Sequence, residues 1–119
     1  MANEITMTVG AKLINGTLRS TESNHTAQFT QATARGGSWT VDIGTSEETI
    51  TWGDIVPGYV KLINLDPTNF VSYGVVTLNL DFEIEAVGGC AIFKMATGAA
   101  LIMQADTAIC KVQITAFNL

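Results

Sequence analysis

Residues 77–85, TLNLDFEIE, alternate between apolar and polar side chains along their whole length. The apolar positions are Leu78, Leu80, Phe82 and Ile84, and the polar ones are Asn79, Asp81, Glu83 and Glu85. Successive side chains of a β-strand point to opposite faces, so this pattern predicts a strand with one face on a core. The acidic row Asp81, Glu83 and Glu85 would then lie together on the other face.

Short runs rich in Val, Ile, Thr and Phe recur along the rest of the chain, separated by Gly, Asn, Asp and Pro. No long segment shows the periodicity of a helix. Runs of this kind at short spacing are typical of an all-β protein whose sheets pack or close around one core. The predicted strands are residues 5–9, 12–14, 17–20, 26–33, 39–43, 48–52, 59–65, 70–74, 77–85, 90–96, 99–104 and 109–117.

Several breaks between these runs predict a particular backbone geometry. Asn15-Gly16 is the strongest signal for a tight hairpin, because both residues tolerate positive φ. Asp66 before Pro67, with Asn69 closing, predicts a type I turn. Further turns are predicted at Gly88-Gly89 and at Gly98, and a flexible loop at Arg35-Gly36-Gly37.

The length and composition predict one domain over residues 1–119 that associates with other protein. A chain of 119 residues has the size of one domain with one core. Only 14% of its residues are charged, while 47% are hydrophobic, against roughly 25% charged in an ordinary domain. Outer faces this poor in charge favour burial against neighbours, so we expect a homo-oligomer or a subunit of a larger assembly.

The charge distribution argues against nucleic acid as a direct partner. The net charge is −5, and the six basic residues Lys12, Arg19, Arg35, Lys61, Lys94 and Lys111 are scattered singly. Such a chain is repelled by a phosphate backbone. The first residues lack the pattern of a signal peptide, and no run has the ~20 apolar residues of a membrane span. We therefore expect synthesis in a cytoplasm and no membrane partner.

The residues that could carry chemistry are few. Same-face residues on a strand are about 6.5–7 Å apart, so the acidic row is too spread to hold a cation unaided, and a solvated or intersubunit face is favoured over a cation site or a catalytic pair. His25 is the single histidine, and no nucleophile motif accompanies it. Trp39 and Trp52 are assigned to core or interface packing rather than to a sugar platform. We expect no enzyme activity and no cofactor.

Cys90 and Cys110 are the two cysteines, and both lie at the edges of apolar runs. Two buried thiols are the favoured interpretation, with a disulfide across neighbouring strands as the alternative. Without a nearby histidine they do not make a zinc site.

Two long stretches of the chain resemble small virion structural proteins of tailed bacteriophages. They are residues 44–74, GTSEETITWGDIVPGYVKLINLDPTNFVSYG, and residues 92–117, IFKMATGAALIMQADTAICKVQITAF, with the opening ITMTVGAKLINGTL adding to the likeness. The positions that carry the first resemblance are Gly58, Leu62, Asn64, Leu65, Asp66, Thr68, Asn69, Phe70, Val71 and Gly74. One departure is Val87-Gly88-Gly89, where such proteins often have a Pro-Gly-Glu turn.

The resemblance implies an antiparallel β-sandwich of jelly-roll type that is built into a virion. The leading hypothesis is a capsid decoration, or cement, protein that contacts the major capsid protein and forms homo-oligomers, with a trimer as the expected state. The alternatives are a tail-associated module that binds a receptor or glycan, with Tyr59, Phe70 and Tyr73 as candidate contacts, and a component of the head-tail connector. The predicted docking regions are residues 1–8 and 39–52.

Overall fold

The structure is a computed structural model that describes residues 4–119. These residues belong to two compact units, Met1–Thr33 and Ala34–Leu119. All regular secondary structure in the described residues is β-strand. None of the described residues forms a helix long and apolar enough to cross a membrane.

The first unit is a β-hairpin. Strand β1 (Ile5–Asn15) pairs antiparallel with β2 (Leu18–Phe29). Asn15 lies opposite Leu18, so Gly16 and Thr17 form the turn, and Gly16 has the positive φ of 59° that such a turn needs. The hairpin predicted at Asn15-Gly16 is confirmed.

The hairpin strands are longer than predicted. The predicted strands 5–9 and 12–14 are one strand, β1, and 17–20 and 26–33 belong to β2, which ends at Phe29. The register shifts between Val9 and Ala11, and a side chain at Gly10 would collide with Asn24. Gly10 therefore marks a β-bulge within a continuous strand rather than a strand end.

The second unit contains the remaining strands. They are β3 (Gly36–Ile43), β4 (Glu48–Thr49), β5 (Tyr59–Asn64), β6 (Val71–Gly74), β7 (Phe82–Ile84), β8 (Cys90–Lys94), β9 (Ile102–Ala105) and β10 (Cys110–Phe117). They form two four-stranded sheets with the orders β3-β10-β5-β8 and β4-β9-β6-β7, and every pairing is antiparallel.

The strand pairs of the second unit are nested. β3 pairs with β10, β4 with β9, β5 with β8, and β6 with β7, as if one long hairpin had been rolled up. Two such sheets of four strands are a jelly roll. The predicted fold class, an antiparallel β-sandwich of jelly-roll type, is confirmed for Ala34–Leu119. That a single domain spans residues 1–119 stays a prediction.

The core lies between the two sheets and follows the alternation of the strands. On β10, the side chains of Cys110, Val112, Ile114 and Ala116 are fully buried, and the residues between them are not. Buried side chains of the other sheet, among them Val71, Ile84 and Met103, belong to the same cluster. One apolar face per strand thus produces one core.

The strand predicted over residues 77–85 is wrong in its first half. A turn joins Val76 to Asn79, and Leu78 within it has a φ of 64° and is 90% exposed. Only Phe82–Ile84 forms a strand, β7. The turn packs so closely on Gly74 that a Cβ there would lie 3.1 Å from the Asn79 carbonyl oxygen. Glycine at this position lets the chain fold back over β6.

The predicted flexible loop at Arg35-Gly36-Gly37 is also wrong, because Gly36 and Gly37 begin β3 opposite Phe117 and Ala116. A Cβ at Gly36 would lie 2.7 Å from the Phe117 ring, so this glycine makes room for an aromatic side chain. Strands β5, β6, β8 and β10 match their predictions to within two residues, whereas β4 is only Glu48–Thr49 and β9 begins at Ile102. The predicted turn at Gly98, with a φ of 82°, is confirmed.

Candidate functional site

The acidic row is exposed on and beside β7. Asp81, Glu83 and Glu85 are all exposed, whereas Ile84, which points the other way, is buried. Within residues 4–119 no three His, Cys, Asp or Glu side chains gather as a metal site would require. The row is open to solvent or to a partner, in agreement with the interpretation favoured from the sequence.

An apolar groove of about 350 Å³ lies on the inner side of β7. It opens where β7 and β8 form the edges of the two sheets. The lining residues are Tyr73, Gly74, Val75, Phe82, Ile92, Phe93 and Leu101. The Tyr73 hydroxyl is the one polar side-chain group among them, so the groove suits an apolar occupant far better than a sugar or an ion.

Three stacked aromatic rings form the wall of this groove. The Tyr73 ring lies 5.5 Å from that of Phe82 and 5.6 Å from that of Phe93, at interplanar angles of 26° and 13°. The stack links β7 and β6 of one sheet to β8 of the other. Burial raises the pKa of Tyr73, whereas Phe82 at the open end is 61% exposed. The stack is thus half-buried at its centre and open at one end.

The aromatic contacts predicted from the sequence only partly coincide with the groove. Tyr73 lines it, but Tyr59, the first residue of β5, and Phe70, which precedes β6, do not. The alternation of residues 77–85 predicts a buried face for Phe82. It does point inward, but its position on a short edge strand leaves it uncovered, and no pattern within residues 77–85 distinguishes it from Ile84.

Trp39 and Trp52 pack against each other and against the core. Their rings meet edge to face with centroids 5.9 Å apart, and both side chains are half-buried on the core cluster. Trp39 lies on β3 and Trp52 follows β4, the edge strands opposite to β8 and β7 in the two sheets. The prediction of a packing role for both residues is confirmed.

The motif that carries the resemblance contains a structural corner centred on Asn64. This side chain is fully buried, and its Nδ2 donates hydrogen bonds to the carbonyls of Asn69, at 2.8 Å, and Ile84, at 3.1 Å. Its Oδ1 accepts a hydrogen bond from the backbone N–H of Asp66 at 2.9 Å. Asn64 therefore satisfies three backbone groups that connect β5, the following turn and β7, which explains its place in the motif without any ligand.

Asp66 closes the predicted turn through its own carboxylate. Oδ2 accepts hydrogen bonds from the backbone N–H of Asn69 at 2.7 Å and of Thr68 at 3.0 Å. These two bonds hold the pKa of Asp66 below its ordinary value. A turn at Asp66-Pro67 is confirmed, and a side chain closes it.

The two cysteines differ in exposure. Both thiols are free, and Cys110 is buried while Cys90 is exposed, so the prediction of two buried thiols is wrong for Cys90. Cys90 begins edge strand β8, on which Ala91 and Phe93 are half-buried, whereas Cys90, Ile92 and Lys94 are exposed. Burial, followed by the charge of Asp66, raises the pKa of the Cys110 thiol.

The hairpin of the first unit exposes nearly all its residues. From Thr8 to Thr26 every residue is exposed, His25 included. The exposed large apolar side chains are Val9, Leu13, Ile14 and Leu18. Of the predicted docking region, residues 1–3 lie outside the described residues, and residues 4–8 begin this hairpin.

The comparisons with known proteins identify no family for this chain. No family model matches the sequence, and no curated protein matches it. Among solved structures the chain is similar to a protein of Bacillus endospore appendages, described as a novel family of disulfide-linked pili. The sequences are 16% identical, the match covers 73% of this chain and 90% of that chain, and the TM-score is 0.37. A likeness at this level carries no argument about function.

Proposed function

We propose that this chain is a structural, non-catalytic subunit of a multi-copy protein assembly. The observation that carries the proposal is the exposed hairpin of the first unit. A two-stranded hairpin alone is marginally stable at best in water, because it has no second layer against which to bury its side chains. β1 and β2 are 11 and 12 residues long, yet they leave Leu13, Ile14 and Leu18 exposed. Cover from neighbouring protein would supply the missing layer.

Exposed apolar side chains on the second unit support the same role. The largest exposures are at Leu78, with 90%, and Val87, with 77%. Both residues have positive φ, at 64° and 60°, which is unfavourable for side chains of this kind. Neither residue stabilises the isolated chain by burial, so contact with a neighbouring protein is the role proposed for them.

The finer proposal is that the assembly is the virion of a tailed bacteriophage and that the chain is a capsid decoration protein. It rests on the resemblance of residues 44–74 and 92–117 to such virion proteins. Each copy would stabilise the shell by burying apolar surface, at about 25 cal/mol per Å². Several copies acting together, as a trimer at a local three-fold position, would add avidity. The major capsid protein is the proposed partner.

Quantification in purified particles tests this function. We expect the chain in purified virions at a copy number approaching that of the shell protein. Particles that lack it should regain heat resistance when the purified protein is added back. Absence from the particles would refute the virion role, and a copy number that fits a single ring would point instead to a connector or tail component.

A further inference from the structure

The apolar groove beside β7 and the tip of the hairpin, residues 12–19, are two exposed surfaces whose properties match. Val75, Phe82 and Ile92 in the groove lining are 57%, 61% and 39% exposed. Phe82 is also the exposed end of the aromatic stack. The groove therefore offers a concave apolar surface that a small apolar wedge would fill.

The hairpin tip has one apolar face and one cationic face. Leu13 and Leu18 share a face, because Leu13 pairs with Ser20 and Asn15 with Leu18. Lys12 and Arg19 lie on the opposite face with Ile14, which pairs with Arg19. Lys12 and Arg19 are the two basic residues of Met1–Thr33.

Strand β7 has an apolar side and an acidic side, which complement the two faces of the hairpin tip. Phe82 points to the groove, whereas Asp81 and Glu83 are exposed on the other side of the strand. A hairpin strand lying alongside β7 in the plane of its sheet would place Leu13 and Leu18 on the groove side. The same placement would bring Lys12 and Arg19 to the acidic side, so apolar and charged faces match together.

We propose that the hairpin tip of one copy docks alongside β7 of a second copy, with Leu13 and Leu18 on the apolar groove and Lys12 and Arg19 beside Asp81 and Glu83. Each copy then offers one hairpin and one groove, which is a head-to-tail contact. Head-to-tail contacts form closed rings when the rotation closes and open chains when it does not. This contact would join the copies of the proposed assembly, whether or not that assembly is a phage particle.

Charge-swapped variants of the full-length chain test this contact by sedimentation velocity over a dilution series. We expect the wild type to self-associate. Reversing the hairpin charges in K12E/R19E, or the charges on the acidic side of β7 in D81K/E83K, should weaken association at least about tenfold. A mixture of the two variants should restore it, because each acidic hairpin then meets a basic side of β7 and each basic hairpin meets an acidic one.

The matched control is R35E/K111E, which changes the net charge by the same amount as K12E/R19E. Arg35 precedes β3 and Lys111 lies on β10, so neither is beside β7 or β8. It should associate like the wild type. Circular dichroism would show that each variant is folded, and recovery in the mixture excludes misfolding as the cause of the loss. A wild type that stays monomeric would overturn the proposal, as would a mixture that fails to associate. A loss of association in K12E/R19E with no loss in D81K/E83K would overturn it as well. None of these results depends on whether the chain is present in virions.

Discussion

The side-chain amide of Asn64 donates a hydrogen bond to the main-chain carbonyl of Ile84, 3.1 Å away, and so joins a central strand of one sheet to the edge strand of the other. The same side chain bonds the turn that follows its own strand. One buried amide therefore helps to hold β7 in position, and with it the acidic row and the apolar groove.

Replacing Asn64 by Ala should lower the free energy of unfolding by about 2–3 kcal/mol, because the carbonyls of Asn69 and Ile84 lose their buried donor. Urea denaturation at neutral pH measures this loss. Asn79→Ala in an exposed turn is the control, with an expected change within about 0.5 kcal/mol. Equal midpoints for the two variants would contradict the role assigned to Asn64.

Asp66 should make the stability of the protein depend on pH in the acidic range. Its pKa is lowered from 3.8 by hydrogen bonds from the backbone of Asn69 and Thr68. A carboxylate with a lowered folded-state pKa contributes stability above its unfolded-state pKa and loses that contribution as the pH falls through the folded-state value. The stability difference between wild type and Asp66→Asn should therefore be present at neutral pH and shrink below about pH 4. Urea titrations at several pH values would show it, and a difference that is constant with pH would count against the assignment.

Val87→Asn should stabilise the protein by about 1 kcal/mol. Val87 has a φ of 60°, and a β-branched residue is strained there, whereas Asn tolerates this conformation. Thermal unfolding would record the gain as a higher Tm. Val56→Asn is a suitable comparison, since Val56 is similarly exposed, at 63%, without positive φ, and its replacement should bring no gain. A Tm that is unchanged in both variants would show that the backbone at Val87 is not strained.

The two thiols should differ in their reactivity towards a disulfide reagent. Cys90 is exposed and should react rapidly in the native protein, whereas Cys110 is buried, has a raised pKa and should react only on unfolding. Cys90→Ser should abolish the fast phase, and Cys110→Ser should leave it intact. Rapid reaction of two thiols per native wild-type chain would contradict the burial of Cys110.

Much of the fold is predictable because the relevant signals are local. The alternation of β10 identifies a strand and its buried face without reference to the rest of the chain, and Asn15-Gly16 identifies the hairpin turn. The errors arise where contacts between distant segments determine the local backbone conformation. Gly74 accommodates the turn at Asn79, and Gly36 accommodates the ring of Phe117; neither partner is visible from the neighbouring sequence.

The candidate site was less predictable than the fold for a related reason. The acidic row was recognised, but the groove on the other side of β7 exists only because β6, β7 and β8 come together from two sheets. Alternation assigns Phe82 and Ile84 to the same face and says nothing about where that face ceases to be covered.

The central position of β10 has a consequence for biosynthesis. β3 and β5 do not pair with each other; each pairs with β10, which is formed by Cys110–Phe117. A nascent chain that has emerged from the ribosome only as far as β9 cannot complete this sheet, and the apolar faces of its strands stay uncovered. Folding must then wait for β10 and form contacts of long sequence separation, which is slow and leaves apolar surface of newly made chains exposed to aggregation.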